Sequence, residues 1–253
     1  KWITDETHVT EKPNSPRPLY FRRKIHLEKA VQESWIVVTA IGIFDVLLDG
    51  RRISEDYFSP GFTDYEHNLQ YCCYRIGELQ EGDHELFVTV AAGWAVGRTT
   101  NISNTNQSVS LLTADRQALL AEWYIVYKDG SREVVSTDGA YEVTADGPYQ
   151  YADFYDGEIY DARFKETDWK WRKADVITPD IHPMIEARYG EPVTGHEIFA
   201  PISCEEVYSG EKGETEIIYD FGQNLSGVVE FEADGETGQI IRICHAEALE
   251  HGK

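Results

Sequence analysis

From Leu19 to Val143 the chain repeats one pattern, short runs in which apolar and polar residues alternate, each cut off by turn residues. A period of two sends successive side chains to opposite faces of an extended strand, so such runs bury an apolar face only when sheets pack together. Tyr20 to Leu27, Gln70 to Ile76 and His84 to Ala92 read this way, with Leu86, Val88 and Val90 alternating in the last. Ser34 to Leu48 is rich in Val, Ile and Phe and ends at Asp49-Gly50, a pair suited to a turn with positive φ at both central residues. It therefore holds two strands, bent at Gly42 or turning after Leu48. Leu119 to Tyr127 and Arg132 to Thr137 flank Asp129-Gly130 and form a second expected hairpin. The pattern predicts an all-β chain, a sandwich or barrel.

Charge narrows the partners. Asp and Glu number 45 against 23 Lys and Arg, a formal charge of −22, which repels phosphate backbones and anionic headgroups. Neither nucleic acid nor a membrane is expected as a partner, and no apolar run reaches the roughly 18 residues of a membrane span. A length of 253 residues suits one large or two ordinary domains, and 42% hydrophobic residues support a real core. The N-terminus, Lys1-Trp2-Ile3-Thr4-Asp5-Glu6, has no signal-peptide apolar region, and Met184 is the sole methionine, so the chain reads as a piece of a longer protein. Cys72, Cys73, Cys204 and Cys244 read as free thiols acting as small hydrophobes, with Cys72 and Cys73 on opposite faces of a strand. These features favour the cytoplasm while leaving secretion and its three Asn-x-Ser sequons (Asn101, Asn106, Asn224) open.

The chain divides by composition into an N-terminal arm (1–17), a main β domain (18–168), an extended strap (169–196) and the strands of a second, truncated β domain (197–253). The strap mixes Lys170, Trp171, Arg172 and Lys173 with Pro179, Pro183 and Pro192 and has no steady period. In the last part Ile198 to Cys204, Thr215 to Tyr219, Gly227 to Phe231 and Gln239 to Cys244 are expected strands, too few to bury their own faces. Gly93 to Ser110 is a polar stretch longer than most sandwich loops, a length usual for functional or mobile loops.

The run Asp153-Phe154-Tyr155-Asp156-Gly157-Glu158-Ile159-Tyr160-Asp161-Ala162-Arg163 packs four acids, an arginine and three rings into eleven residues. Sugar sites combine rings that stack on C–H faces with carboxylates that accept from hydroxyls, and clustered carboxylates also hold calcium. The alternative is a structural lock in which Glu158 or Asp161 satisfies Arg163. Read as one strand, Asp156 and Glu158 share one face and Tyr155 and Asp161 the other, so the acids converge only if Gly157 breaks the strand.

Several motifs in order resemble the non-catalytic N-terminal portion of bacterial α-L-rhamnosidases. They are Leu48-Asp49-Gly50-Arg51, then Ser59-Pro60-Gly61-Phe62-Thr63-Asp64-Tyr65, close to "PGWTDY", and Gly93-Trp94-Ala95-Val96-Gly97-Arg98, close to "GWY-G". Gly157 to Arg163 is similar to "GE-YDAR", Asp220-Phe221-Gly222-Gln223-Asn224-Leu225-Ser226-Gly227 to "DFGQN-SG", and His245-Ala246-Glu247-Ala248-Leu249 to "HAE-L". The resemblance implies a jelly-roll, galactose-binding-like β-sandwich followed by part of a second β-sandwich. It also implies that the inverting carboxylate pair belongs to a downstream (α/α)6 barrel, a partner in the full-length protein, and that this chain is itself inactive. The first sandwich is expected to bind rhamnose or rhamnosides, requiring no cofactor but with calcium as a candidate; the alternative is a structural accessory that packs on the barrel and shapes its entrance without binding sugar. Trp94 and Tyr155 would supply stacking faces, Arg98 and Asn101 further hydrogen bonds, and Asp153, Asp156, Glu158 and Asp161 the carboxylates, Asp153 and Asp156 being the metal candidates.

Overall fold

A computed structural model describes residues 1–8, 17–97, 114–154, 157–209, 214–236 and 238–248. Among them the strands run β1 (Trp2–Thr4), β2 (Leu19–Leu27), β3 (Val31–Ile41), β4 (Ile43–Leu48), β5 (Arg51–Arg52), β6 (Asp56–Tyr57), β7 (Asn68–Arg75) and β8 (Gly82–Ala91). A single helical turn, α1 (Gly93–Val96), precedes β9 (Ala118–Tyr127), β10 (Arg132–Ser136), β11 (Glu142–Thr144), β12 (Tyr149–Asp153) and β13 (Gly157–Tyr160). Then come β14 (Arg172–Lys173), β15 (Asp175–Ile177), β16 (Met184–Ala187), β17 (Val193–Thr194), β18 (Ser203–Ser209) and β19 (Glu214–Asp220). The chain forms two compact units, 1–194 and 195–253.

The first unit is a β-sandwich. One sheet has the order β15-β1-β9-β3-β7-β16 with β10 also on β9, and the other the order β14-β11-β2-β8-β4-β5. The alternation read from sequence sorts the residues: Phe21, Ile36, Val38, Val46, Leu86, Val88, Val90, Leu119, Trp123 and Ile125 all point into the core between the sheets. Cys72 is buried there while its neighbour Cys73 is exposed, as the period of two demands, and Cys204 and Cys244 are exposed too, so only Cys72 packs as a small hydrophobe. At Gly42 the chain leaves one sheet for the other, since β3 and β4 lie on different sheets. Asp49 and Gly50 take φ of 51° and 75°, the expected positive pair, and β4 turns into β5 there.

The sheets also recruit segments outside 18–168. Ile3 of β1, in the expected arm, is fully buried and pairs with both Leu119 and Val176. In the expected strap, β14 and β15 add an edge strand to each sheet and β16 runs parallel to β7. Runs of two to four residues are too short to show a period, and their partners are distant in sequence. Arg172 ties these ends together: its Nε donates to Asp5 at 2.9 Å and its Nη2 pairs with Asp5 and Asp175.

In the second unit β18 and β19 pair antiparallel from Ser203↔Asp220 to Ser209↔Glu214. The expected strands over 227–231 and 239–244 are not formed among the described residues, and the first strand starts at Ser203 rather than Ile198. A strand exists only against a partner that accepts its backbone hydrogen bonds, and a lone hairpin supplies two edges and no core. The Asp220-Phe221-Gly222 turn is closed by Gly222 N–H donating to Asp220 Oδ1 at 2.7 Å.

Candidate functional site

The site begins at the end of β8. Gly93 opens α1 with φ of 53°, and a Cβ there would lie 2.7 Å from Ile43 Cγ2, so only glycine lets the turn fold down on the β4 start. Ala95 and Val96 then sink into a second apolar cluster with Ile41, Tyr65 and Leu69, and Trp94, half-buried, packs against it. Its ring is left at the surface end of the sandwich.

Two other segments converge on it. Phe154, at the end of β12, stacks on Trp94 with centroids 4.2 Å apart and planes 21° from parallel. Phe58 meets Trp94 edge-on at 6.0 Å and Phe154 at 5.2 Å, and Phe62 meets Trp94 edge-on at 5.7 Å. Offset and edge-to-face pairs of this kind are worth about 0.5–1.5 kcal/mol each beyond their buried area. Phe58 is 36% and Phe62 66% exposed, so the four rings form an apolar patch open to solvent on its Phe62 side. The loop bearing them is pinned from within: Tyr65 is buried and its hydroxyl donates to Gly61 O at 2.9 Å, while Thr63 donates to Asn68 O at 2.7 Å. Asp64-Tyr65 thus serves the turn.

The acid-rich run is a hairpin, not one strand. Gly157 takes φ of 80° and sits opposite Asp153, so β13 runs back along β12. Ala152 pairs with Glu158 and Tyr149 with Tyr160, whose rings touch at 5.0 Å; Tyr151 pairs with Ile159 on the other face. Asp153 therefore points to the face opposite Glu158. It is buried, with Oδ2 only 2.8 Å from where a Cβ on Gly97 would sit, which places it against the α1 turn and beside the rings. Glu158 is exposed and turned away. Asp161 is taken by Arg163, which donates from Nε at 2.8 Å, from Nη2 at 2.6 Å and from its amide at 3.0 Å. That guanidinium pulls the Asp161 carboxyl down to about 2, the charge-paired lock rather than a free ligand.

Trp94 and Asp153 thus come together, while Glu158 and Asp161 stand apart from them. Arg98, Asn101, Tyr155 and Asp156 lie outside the described residues. Sequence reasoning did not nominate Phe58, Phe62 or Phe154; the available signal was two phenylalanines bracketing Ser59-Pro60-Gly61 and one beside Asp153. Calcium needs six to eight oxygens; among the described residues no three His, Cys, Asp or Glu side chains gather to hold a metal, and of the two metal candidates only Asp153 is among them. A separate open cleft of about 550 Å³, lined by Trp2, Ile177, Pro179, Ile181 and Pro183, lies along β1 and β15 and shares no residue with the rings.

Comparison with known proteins identifies the family and the fold. The family model described as "Alpha-L-rhamnosidase N-terminal domain" matches residues 29–194, and "Bacterial alpha-L-rhamnosidase concanavalin-like domain" matches residues 210–253. An α-L-rhamnosidase of Alteromonas sp. is 31% identical over 93% of this chain and 25% of its own length, and one of Streptomyces avermitilis is 31% identical over 87% and 21%. The chain spans about a quarter of the length of these curated relatives. The crystal structure of the Aspergillus terreus α-L-rhamnosidase superposes with a TM-score of 0.75 at 24% identity, over 88% of this chain and 26% of that one. The Streptomyces avermitilis α-L-rhamnosidase complexed with L-rhamnose superposes at 0.67 with 25% identity, over 76% and 19%. Both folds are the same β-sandwich. With a family model covering most of the sandwich, the chain belongs to the α-L-rhamnosidase N-terminal domain family.

Proposed function

We propose that the first unit is a non-catalytic carbohydrate-binding module of an α-L-rhamnosidase, taking rhamnose or a rhamnoside by ring stacking at Phe62 and Trp94 without a metal. The observation that carries this reading is the solvent-open patch of Phe58, Phe62, Trp94 and Phe154 at one end of a sandwich. A rhamnose ring offers an apolar face with a methyl group, which matches an aromatic surface better than a charged one. That a relative of similar fold is described in complex with L-rhamnose supports the choice of sugar. The hydrolytic carboxylate pair belongs, on this reading, to a separate barrel of the full-length enzyme. Calorimetric titration with L-rhamnose and an aryl rhamnoside, in EDTA and in calcium, tests it. Heat that survives EDTA and is lost in Phe62→Ala and Trp94→Ala is expected. No heat at millimolar sugar overturns the binding reading, and heat only with calcium overturns its metal-free form.

A second observation favours a structural role for the second unit. Among its described residues none is buried, and Ile198 and Ile240 are 96% and 87% exposed. Apolar surface on that scale marks an interface, and the occupant we propose is the remainder of the same β domain in the full-length protein, of which this chain spans about a quarter. Full-length rhamnosidase lacking residues 195–253 should be insoluble or inactive even on small synthetic glycosides. Retained activity on these substrates counts against it.

A further inference from the structure

The ring patch depends on a loop whose backbone is not at rest. Phe58 has φ of 59°, left-handed for a residue with a bulky side chain, a strained conformation that persists only where the surroundings over-determine it. What holds it is a polar network two residues upstream. Asp56 Oδ2 accepts from Arg188 Nη1 at 2.6 Å and from the Tyr74 hydroxyl at 3.1 Å. Because Tyr74 spends its one proton on that carboxylate, Ser59 Oγ, 3.2 Å from the Tyr74 oxygen, is the donor in their contact. Ser59 is further fixed by Phe44 N–H donating to its carbonyl at 2.8 Å. The network thus grips the chain on both sides of Phe58, at Asp56 and at Ser59.

The pair is well desolvated, with side chains 11% (Asp56) and 23% (Arg188) exposed; burial pushes the Asp56 carboxyl up, but the hydrogen bonds it makes, led by that from Arg188, outweigh it and hold the carboxyl low. Arg188 itself comes from the segment after β16, where its amide donates to Tyr71 O at 3.0 Å. A few residues on, β17 pairs with the same loop, Val193 opposite Tyr57 and Thr194 opposite Asp56. Residues 184–194 are therefore fastened to β7 at one end and to the ring loop at the other.

We infer that Arg188, acting through Asp56, Tyr74 and Ser59, is the positioning residue of the ring site, so that the rings are assembled only when the 184–194 segment is docked. The inference rests on the ring-stacking reading for its functional meaning, but its geometry is independent of any sugar. Without Arg188, Asp56 is a half-sequestered carboxylate with no counter-charge, the loop relaxes toward water, and Phe58 returns to negative φ and leaves Trp94 and Phe154.

The test measures the near-ultraviolet circular dichroism of Trp94, isolated by subtracting a Trp94→Phe variant in each background, together with L-rhamnose affinity. Arg188→Ala should lose most of the Trp94 band and weaken rhamnose binding by about tenfold, with cooperative unfolding intact, and Arg188→Lys, which can still donate to Asp56, should restore the band. A merely stabilising residue would lower the unfolding midpoint and leave the band unchanged. A wild-type band in Arg188→Ala overturns the inference. If Arg188→Ala does not fold, Tyr74→Phe decides: it keeps the ion pair and the ring but cuts the bridge to Ser59, so a lost band supports the inference and an unaltered one overturns it. If the wild type takes no rhamnose at all, the sugar reading fails while the spectral comparison still decides the positioning role.

Discussion

Gly97→Ala tests whether the β12–β13 hairpin docks on the α1 turn as described. A Cβ at Gly97 would lie 2.4 Å from Gly93 O, 2.8 Å from Asp153 Oδ2 and 3.4 Å from Ala92 Cβ. The first is a backbone contact, which must open by roughly 1 Å to reach ordinary packing in an interior as dense as a crystal. Gly97 has φ of −80°, so the alanine is not strained by its own backbone and the whole effect is steric. Overpacking of this kind costs about 1–3 kcal/mol, against which the stiffer unfolded chain returns about 0.4–1 kcal/mol. The net loss should be about 1–2 kcal/mol, or roughly 2–8 °C in the melting of a unit this size. Urea unfolding followed by tryptophan fluorescence reads the loss, and the Trp94 near-ultraviolet band reads the displaced Phe154 stack. Gly139→Ala is the control, because nothing there would come closer than 3.9 Å; it should be neutral or slightly stabilising. An unmoved Trp94 band in Gly97→Ala would refute the docking, and stability equal to that of Gly139→Ala would refute the closure of the α1 turn on Gly93.

Three further outcomes follow from other parts of the fold. Arg172→Met should destabilise the first unit by about 2 kcal/mol in urea, less than for a fully buried pair because the guanidinium is partly exposed, since it leaves the buried Asp5 without its counter-charge. In the wild type, burial pushes Asp5 up, but the bonds from Arg172 and Thr7 outweigh it and Arg172 pulls Asp175 down, so their stabilisation is present above about pH 3.9 and lost as pH falls through the lowered values; Arg172→Met should flatten that acid limb. His84 is raised, burial being overcome by Asp49 at 2.7 Å and the Gln80 carbonyl at 3.0 Å, so its contribution is complete below about pH 6.5 and lost as pH rises through the raised value. The melting-temperature gap between wild type and His84→Gln should close between about pH 6.5 and 8.5, the two units above the free imidazole value; a constant gap contradicts the assignment. Gly157→Ala should cost about 1–2 kcal/mol for its positive φ, felt locally as faster hydrogen exchange at the Ala152 and Glu158 amides while the core amides keep their protection.

What sequence reveals depends on how far apart the cause and its partner lie. The Asp49-Gly50 turn is legible because its cause is local: two adjacent residues with φ of 51° and 75°. The sandwich core is legible because alternation sums over eight to eleven residues in β3, β7, β8 and β9. Trp2–Thr4 and residues 172–187 fail that test, since three-residue strands carry no period and Ile3 finds its partners at 119 and 176. The ring site fails it differently. Its members, Phe58, Phe62, Trp94 and Phe154, sit on three segments that only the closed sheets bring together, whereas the acids stand side by side in one run and dominate any local reading. Gly157 pairs opposite Asp153, and that register sets Asp153 and Glu158 on opposite faces of the hairpin.

That separation bears on the kind of ligand the patch accepts. An anion meets a chain of net charge −22, and among the described residues a cation finds Asp153 near the rings, buried against Gly97, while Glu158 faces away and Asp161 is held by Arg163. On the proposed reading the ligand is a neutral one with a C–H face. At about 0.3 kcal/mol per heavy atom a deoxyhexose gains roughly 3 kcal/mol, a Kd on the order of several millimolar. Binding so weak does little for an isolated module. Tethered to an enzyme it does more, because a short connection raises the local concentration of the second site to about millimolar. The stacking patch should therefore change the enzyme's apparent KM on polymeric or multiply rhamnosylated substrates and leave small aryl rhamnosides untouched. Comparing Phe62→Ala with wild type on the two substrate classes separates these cases, and an equal effect on both would show that the rings act on the barrel rather than on sugar.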